Sequence, residues 1–433
     1  MPRPPPPSGL EWAATEFSQG TRMMFETVDA QGHLIDSGDL QAILTTVVEH
    51  GASYEILHFD VGRTNADASR LSLRVAAETR EALDHLLATL STFGCYVLGA
   101  PDAVLRVNDL SGAAPVDFYS TTNHKTQILL GGEWTTVAHQ RMDAAIVVDE
   151  GRAECRKLRD LKIGDEVVCG MQGIRVLPDL QGRDKPTFGF MSNDVSSERR
   201  VEVAVSRVAA MLREARARGE KICFVAGPVV IHTGGAEYFS ELVQGGFVDV
   251  LLSGNALAVH DIEAALSGTS LGIDLDTGRP VEHGHRNHMR AINAIRRAGG
   301  IGKAVASGLL TRGLMYELHV HQVPYVLAGS IRDDGPLPET EMDLTQAQNK
   351  YAAALENVGV VIMLSSMLHS IGVGNMVPSW VRVVSVDINP AVVTKLSDRG
   401  STQTVGVVTD VGLFLHQLAV ALRGPETDVH HAH

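Results

Sequence analysis

Apolar residues in the second half of the chain come in short continuous runs, and helical patterns separate most of these runs. The runs cover residues 222–226, 248–252, 325–328, 360–364, 381–386 and 405–408. A strand without alternation of apolar and polar residues is buried on both faces, and interleaved helices indicate a parallel sheet. We therefore predict an α/β domain over 193–425, built on a parallel sheet that helices cover on both faces.

The first part of the chain mixes two periodicities. Apolar spacing predicts helices over 40–50 and 78–93, whereas alternation predicts strands over 54–61 and 71–75. This mixture is typical of a small α+β module, which we assign to residues 15–112.

Short strands with intervening turns follow this module. Residues 144–148 and 166–169 are the clearest of them, and helix signals are scarce, so we predict a β-rich subdomain over 113–192. The proline-rich start predicts a disordered arm over 1–14, and the histidine-rich end predicts a disordered tail over 426–433.

Composition excludes several classes of protein. The chain of 433 residues is 44% hydrophobic and 20% charged, which suits a large buried core and excludes a disordered or fibrous protein. The net charge of −14 argues against a nucleic-acid partner, and no apolar run approaches the length of a membrane span. Four scattered cysteines form no Cys-x-x-Cys pair, so we expect a reducing cytoplasm and neither a disulfide framework nor a zinc framework.

Small and polar residues follow each of the six apolar runs, where open parallel sheets bind their ligands. Asp387 ends the fifth run, and a carboxylate there is well placed to accept both hydroxyls of an adenosine ribose. The alternative is that Asp387 or Asn389 caps the helix that opens with Pro390. No Gly-x-Gly-x-x-Gly fingerprint is present, so a dinucleotide would have to be held by different loops.

Histidines and arginines concentrate at 283–290. Helical spacing puts His285 and His288 on roughly one face, and likewise Arg286 and Arg290. A solvated basic helix start and a site for a substrate carboxylate or phosphate both remain open. A metal site is not predicted, because the local pattern lacks a partner carboxylate at a suitable spacing.

Seven segments of the chain carry a resemblance to a known family. Six of them lie in the C-terminal part: His232-Thr-Gly-Gly235, Gly254-Asn-Ala-Leu-Ala258, Gly284-His-Arg-Asn-His288, Ala328-Gly-Ser-Ile-Arg-Asp-Asp-Gly-Pro-Leu-Pro338, Met367-Leu-His-Ser370 and Val386-Asp-Ile-Asn-Pro-Ala-Val-Val-Thr-Lys395. The seventh, Glu26-Thr-Val-Asp-Ala-Gln-Gly-His-Leu-Ile-Asp-Ser37, is similar to a region of lysine-oxoglutarate reductase/saccharopine dehydrogenase. Together these motifs resemble the archaeal-type ornithine cyclodeaminase family, over about residues 15–425.

The resemblance implies an NAD-binding domain similar to that of deoxyhypusine synthase. It also implies conversion of L-ornithine to L-proline and ammonia, by internal hydride transfer, imine cyclisation and hydride return. Related chains carry an arginine-hydrolysing domain in front, an activity not expected here because the N-terminal segment is short. The implied NAD contacts are Asn255, Ala256, Asp334, Ser366, Met367, Leu368, His369, Asp387, Asp410 and Val411.

The chemistry also needs a clamp for the substrate and a base. The candidates are Arg286 or Arg332 for the carboxylate, Asp333 for the ammonium, His285 or His232 for protons, and Lys303 as a base if burial depresses its pKa. The expected partners are an amino-acid substrate and, by family analogy, further copies in a homo-oligomer, with a tetramer favoured. A net NAD-dependent amino-acid or opine-type oxidoreductase and a non-catalytic NAD- or amino-acid-binding regulator remain alternatives.

Overall fold

The computed structural model describes residues 23–423, with gaps at 33, 36–37, 63–66, 68, 92, 98, 100, 178–196, 271–272, 275–284, 334 and 398–403. The predicted arm at 1–14 and tail at 426–433 therefore lie outside the described residues. The chain divides into two compact units, Met1–Gly99 and Ala100–His433. Among the described residues no helix is both long enough and apolar enough to span a bilayer.

The first unit is an antiparallel sheet with two helices. Its elements are β1 (Met24–Gly32), α1 (Asp39–Glu49), β2 (Ser53–Asp60), β3 (Ser69–Ala77), α2 (Arg80–Ser91) and β4 (Tyr96–Val97), with the sheet order β2-β3-β1-β4. Alternate residues of β3, such as Leu71 and Leu73, are buried with Leu83 and Leu86 of α2. Strand β2 is one of the two edge strands of the sheet, and of its residues only Phe59 is half-buried.

The second unit begins with two small antiparallel sheets. Their strands are β5 (Val104–Val107), β6 (Lys125–Leu130), β7 (Glu133–Thr136), β8 (Ala145–Asp149), β9 (Arg152–Arg156), β10 (Glu166–Cys169) and β11 (Ile174–Leu177), in the orders β5-β10-β8-β9 and β11-β6-β7. A 3₁₀ turn, Leu158–Asp160, follows β9. Strand β5 precedes the predicted boundary at residue 113 but pairs with β10, so this antiparallel region starts earlier than the sequence pattern indicated.

The rest of the second unit alternates helices with strands. The elements are α3 (Ser197–Ala217), β12 (Lys221–Ala226), α4 (Val229–His232), α5 (Ala236–Gln244), β13 (Val250–Gly254), α6 (Asn255–Ser267), β14 (Thr269–Ser270), β15 (Ile273–Asp274), α7 (His285–Ala298), α8 (Ile301–Ala306), α9 (Leu314–Val320), β16 (Tyr325–Ala328), β17 (Thr340–Glu341), α10 (Leu344–Ala354), β18 (Val358–Leu364), α11 (Met367–Met376), β19 (Arg382–Asp387), α12 (Pro390–Ser397), β20 (Thr404–Val408) and α13 (Val411–Leu422).

Seven of these strands form one parallel sheet in the order β17-β16-β13-β12-β18-β19-β20. Six of them are the predicted apolar runs, and the seventh, β17, is a two-residue edge strand too short to leave a pattern. Ile222 and Phe224 of β12 enter one hydrophobic core, whereas Cys223 and Val225 enter another. The sheet is thus buried on both faces, and the predicted α/β fold is confirmed.

The order of the strands reverses at β12. From there the chain proceeds through β13, β16 and β17 on one side, and β18, β19 and β20 lie on the other. Such a reversal opens a crevice beyond the carboxyl ends of the two strands where it occurs. The candidate site is therefore expected beyond β12 and β18.

Candidate functional site

The backbones that leave β12 and β18 approach each other closely at this crevice. The Gly227 N–H donates to the Leu364 carbonyl oxygen at 3.0 Å. A Cβ atom on Gly227 would lie 2.4 Å from the carbonyl oxygen of Ser365. No side chain fits in that space, so the close approach requires glycine at position 227.

Two helices begin at the crevice without a side-chain cap. Helix α6 starts after Gly254 and helix α11 after Ser366, and neither of these residues caps its helix with a side-chain hydrogen bond. By contrast, Asp410 caps α13 by accepting the Leu413 N–H at 2.9 Å. The first-turn N–H groups of α6 and α11, at the positive ends of the helix dipoles, therefore suit an anionic ligand such as a pyrophosphate.

The side chain of Asn255 joins the start of α6 to the loop that follows β16. Its Oδ1 accepts the Leu337 N–H at 3.1 Å and the Thr340 hydroxyl at 2.9 Å. Its Nδ2 donates to Asp333 Oδ1 at 3.1 Å. A ligand at this helix start would therefore meet chiefly the backbone of Asn255 and Ala256.

The first turn of α11 combines a partly buried polar pair with exposed apolar side chains. Ser366 Oγ lies 2.8 Å from His369 Nδ1, and burial lowers the pKa of His369, which favours its neutral form. Met367 and Leu368 are 47% and 76% exposed. Such exposed apolar side chains beside a crevice offer contact area to a flat ligand ring.

At the end of β19, the two roles left open by the sequence, helix capping and ribose binding, can be assigned to different residues. Asn389 Oδ1 accepts the Ala391 N–H at 3.0 Å, which makes Asn389 the cap of α12. Asp387 Oδ1 accepts the Asn389 N–H at 2.8 Å. No described residue hydrogen-bonds to Asp387 Oδ2, which remains available for a ribose hydroxyl.

The start of α13 packs against the segment after β12. Val411 is buried, and a Cβ atom on Gly412 would lie 2.5 Å from the Thr233 carbonyl oxygen. This contact brings Asp410, which is half-buried, toward the same edge of the sheet. The predicted NAD residues from four separate segments thus lie at one edge, except Asp334, which lies outside the described residues.

The predicted substrate residues are less closely grouped. Both carboxylate oxygens of Asp333 already have partners, since Oδ2 accepts the Ser330 N–H at 2.7 Å. Arg332 is exposed on the same loop. The positions of His285 and Arg286 at the start of α7 are described, but their side chains are not.

Lys303 is not buried, although its predicted role as a base requires burial. It is exposed on α8, so the burial that would depress the pKa of a lysine base is missing there. The structure therefore offers no burial in support of Lys303 as a base, and this role stays a prediction. Helical periodicity alone did not reveal which side of α8 faces solvent.

His232, at the end of α4, lies beside the crevice in contact with other polar groups. Its Nδ1 is 2.7 Å from Ser270 Oγ, and its ring packs edge-on to His260 with 4.7 Å between centroids. Burial lowers the pKa of His232, and His260 lowers it further, whereas Glu263 opposes both effects. The net result favours the neutral imidazole, which can accept a proton.

Sequence reasoning missed two further polar residues, His260 and Glu263, which are buried in α6. Glu263 Oε2 lies 3.5 Å from His260 Nδ1 and 3.7 Å from His288 Nδ1 of α7. These three residues, which we call the His–Glu–His cluster, each offer a metal-ligating atom within 4.8 Å of the others. The available signal was a pair of polar residues three positions apart in a helix that is mostly apolar.

Three family models match the chain in succession. The LOR/SDH bifunctional enzyme conserved region matches residues 25–124. The C-terminal first region of ArgZ-like arginine dihydrolase matches 125–205, and the Rossmann-fold region of the same C-terminal part matches 206–418.

Named relatives match most of the chain. The ornithine cyclodeaminase of Methanothermobacter thermautotrophicus is 48% identical over 391 residues, which cover 90% of this chain and 95% of the relative. The bifunctional arginine dihydrolase/ornithine cyclodeaminase AgrE of Nostoc sp. is 49% identical over 401 residues, or 90% of this chain. The match spans only 57% of the length of AgrE, so the chain corresponds to part of that protein.

Solved structures give the same relationship. The apo structure of ArgZ, an arginine dihydrolase from the ornithine-ammonia cycle in cyanobacteria, superposes with a TM-score of 0.81 at 44% identity, over 94% of this chain and 60% of ArgZ. The ternary complex of AgrE with ornithine and NAD⁺ superposes with a TM-score of 0.51 at 47% identity, over 93% of this chain and 58% of AgrE.

Proposed function

The chain belongs to the archaeal-type ornithine cyclodeaminase family, and from that premise we propose that it converts L-ornithine to L-proline and ammonia with NAD as a catalytic cofactor. The observation that carries the proposal is the pair of uncapped helix starts on either side of β12, where the strand order reverses: α6 begins after β13 and α11 after β18. A pyrophosphate group is the anion that two such neighbouring helix starts suit best.

The residues at the crevice fit an NAD molecule. The first turns of α6 and α11 would hold the pyrophosphate, and Asp387 would accept the hydroxyls of a ribose through its Oδ2. The same end of the crevice would be lined by Met367, Leu368 and the hydrogen-bonded pair of Ser366 and His369. Asp410 and Val411 would lie at the end of the next strand. When bound, NAD supplies a reversible acceptor for the hydride of the substrate α-carbon.

The residues of this chain would then position the substrate and handle its protons. His232, kept neutral by burial, would take the proton of the α-amine, because an amine must be unprotonated to become an imine. Arg332 or Arg286 would bind the carboxylate, and Asp333, held by Asn255, would attract the ammonium. Protein groups around the crevice would exclude water and so protect the imine from hydrolysis.

We further propose a cytoplasmic homotetramer. The four cysteines are buried thiols without a disulfide, which suits a reducing compartment. The tetramer is proposed from the family resemblance alone.

The decisive experiment follows the hydride. With ornithine carrying deuterium at its α-carbon, and NAD⁺, the protein should form proline that retains the deuterium, without a steady rise in NADH absorbance. Deuterium lost to bulk NADH, or a keto acid that accumulates, would identify a net oxidoreductase. NAD binding without any turnover would identify a regulator.

A further inference from the structure

The His–Glu–His cluster lies between α6 and α7, beside the crevice. Glu263 is fully buried and His260 is 5% exposed. The Nδ1 atoms of His260 and His288 are both buried, and neither has a hydrogen-bond partner among the described residues. Two unpartnered imidazole nitrogens beside one buried carboxylate are costly unless something binds between them.

The distances distinguish the kinds of group that could bind there. Glu263 Oε2 is 3.5 Å and 3.7 Å from the two nitrogens, long for hydrogen bonds. Ligands bound tetrahedrally at about 2.1 Å from a zinc ion lie about 3.4 Å apart. Acceptors that share an ammonium through hydrogen bonds of about 2.8 Å lie about 4.6 Å apart. The two distances from Glu263 Oε2 therefore fit ligands of one metal ion and are shorter than those between acceptors that share an amine.

A second layer of hydrogen bonds orients the carboxylate. The Thr269 hydroxyl donates to Glu263 Oε1 at 2.9 Å, and Oε2 is the oxygen that lies 3.5 Å and 3.7 Å from the two histidine nitrogens. Asn287, next to His288 in the chain, donates from Nδ2 to Thr269 Oγ1 at 3.0 Å. This chain of hydrogen bonds thus links Glu263 of α6 to Asn287 of α7, and it holds the carboxylate as outer-shell partners do in metal sites.

We propose that the His–Glu–His cluster binds a divalent transition metal through Nδ1 of His260, Nδ1 of His288 and Oε2 of Glu263. Zn²⁺ is the ion expected, because two imidazoles and one carboxylate form a donor set that zinc takes in tetrahedral coordination. Three protein ligands leave a fourth position for water or another small ligand. The ion would bind whether or not the chain converts ornithine to proline.

The test is a titration of the full chain with Zn²⁺ in competition with a chromophoric chelator. The background protein carries alanine at His430, His431 and His433, so that the histidine-rich end does not contribute. One equivalent of tight binding is expected. His288→Ala and Glu263→Gln should each abolish it, and Thr269→Val should weaken it by about 10-fold.

The matched control is His321→Ala, because His321 pairs with Glu317 on another helix at 3.3 Å without a second histidine. This substitution should leave Zn²⁺ binding unchanged. Because Glu263 is fully buried and its substitution risks misfolding, the background protein is also loaded with Co²⁺, which gives intense visible absorption in a tetrahedral site. No such absorption, or stoichiometric binding that survives His288→Ala in folded protein, would overturn the proposal.

Discussion

Asn255 donates a hydrogen bond from Nδ2 to Asp333 Oδ1 at 3.1 Å, across 78 residues of chain. The resemblance assigned the first residue to the cofactor and the second to the substrate. The structure makes them neighbours, because this hydrogen bond links the start of α6 to the loop that carries Arg332. A change at the proposed cofactor site is therefore expected to affect substrate binding as well.

We expect Asn255→Ala to lower the free energy of unfolding by about 1–3 kcal/mol, because Asp333, Leu337 and Thr340 all lose a partner. The KM for ornithine should rise as the loop loosens. Denaturant unfolding and steady-state kinetics measure the two effects. Thr340→Val removes only one of the three hydrogen bonds, so it should lower the free energy of unfolding by less. An equal decrease in the two variants would contradict this account.

Gly227→Ala should destabilise the protein by about 1–3 kcal/mol and weaken NAD binding, because its Cβ would lie 2.4 Å from the Ser365 carbonyl oxygen. Calorimetric binding of NAD and denaturant unfolding report the two effects. The matched control is Gly372→Ala in α11, where a Cβ meets no atom within 4 Å. That variant should be as stable as the parent or slightly more stable. A similar decrease in the free energy of unfolding in both variants would refute the steric argument.

Asp387→Ala should weaken NAD binding by about 1–3 kcal/mol, the scale for the loss of hydrogen bonds to a charged group. Asn389→Ala removes the cap of α12 and should cost about 1 kcal/mol of stability. It should leave NAD affinity nearly unchanged, because the Asn389 N–H that bonds to Asp387 is retained. Unchanged affinity in a folded Asp387→Ala variant would remove Asp387 from the site.

The partly buried His369 predicts a dependence of stability on pH. Burial lowers the pKa of His369 in the folded state below its value in the unfolded chain. The contribution of His369 is therefore full above the unfolded pKa and is lost as pH falls, because the unfolded chain takes up a proton first. In His369→Gln the fall in the free energy of unfolding between pH 7.5 and pH 5 should be smaller than in the parent.

The exposed His319 of α9 provides the comparison. His319→Gln should keep the parental pH dependence. Identical slopes for the parent and for His369→Gln, measured by urea unfolding at a series of pH values, would show that burial of His369 does not contribute.

Much of this fold could be predicted from periodicity alone. A central strand such as β12 contacts two hydrophobic cores, so both of its faces must be apolar. Ile222 and Phe224 lie in one core, and Cys223 and Val225 lie in the other. That requirement leaves a continuous apolar run in the sequence. The family membership predicted from the long motifs is also confirmed, because those motifs lie in a chain that is 48% identical to a named ornithine cyclodeaminase.

By itself, then, the sequence determined the parallel sheet, the family and the strand ends where ligand-binding residues should be sought. Only the tertiary structure decided which side chains meet: that Asn389 caps α12, that Lys303 is exposed, and that His288 of α7 faces Glu263 of α6. The physical reason is the range of the interactions. Periodicity records whether a residue is buried along its own element, whereas hydrogen bonds and metal ligation depend on distances between elements that the packing of the whole domain sets.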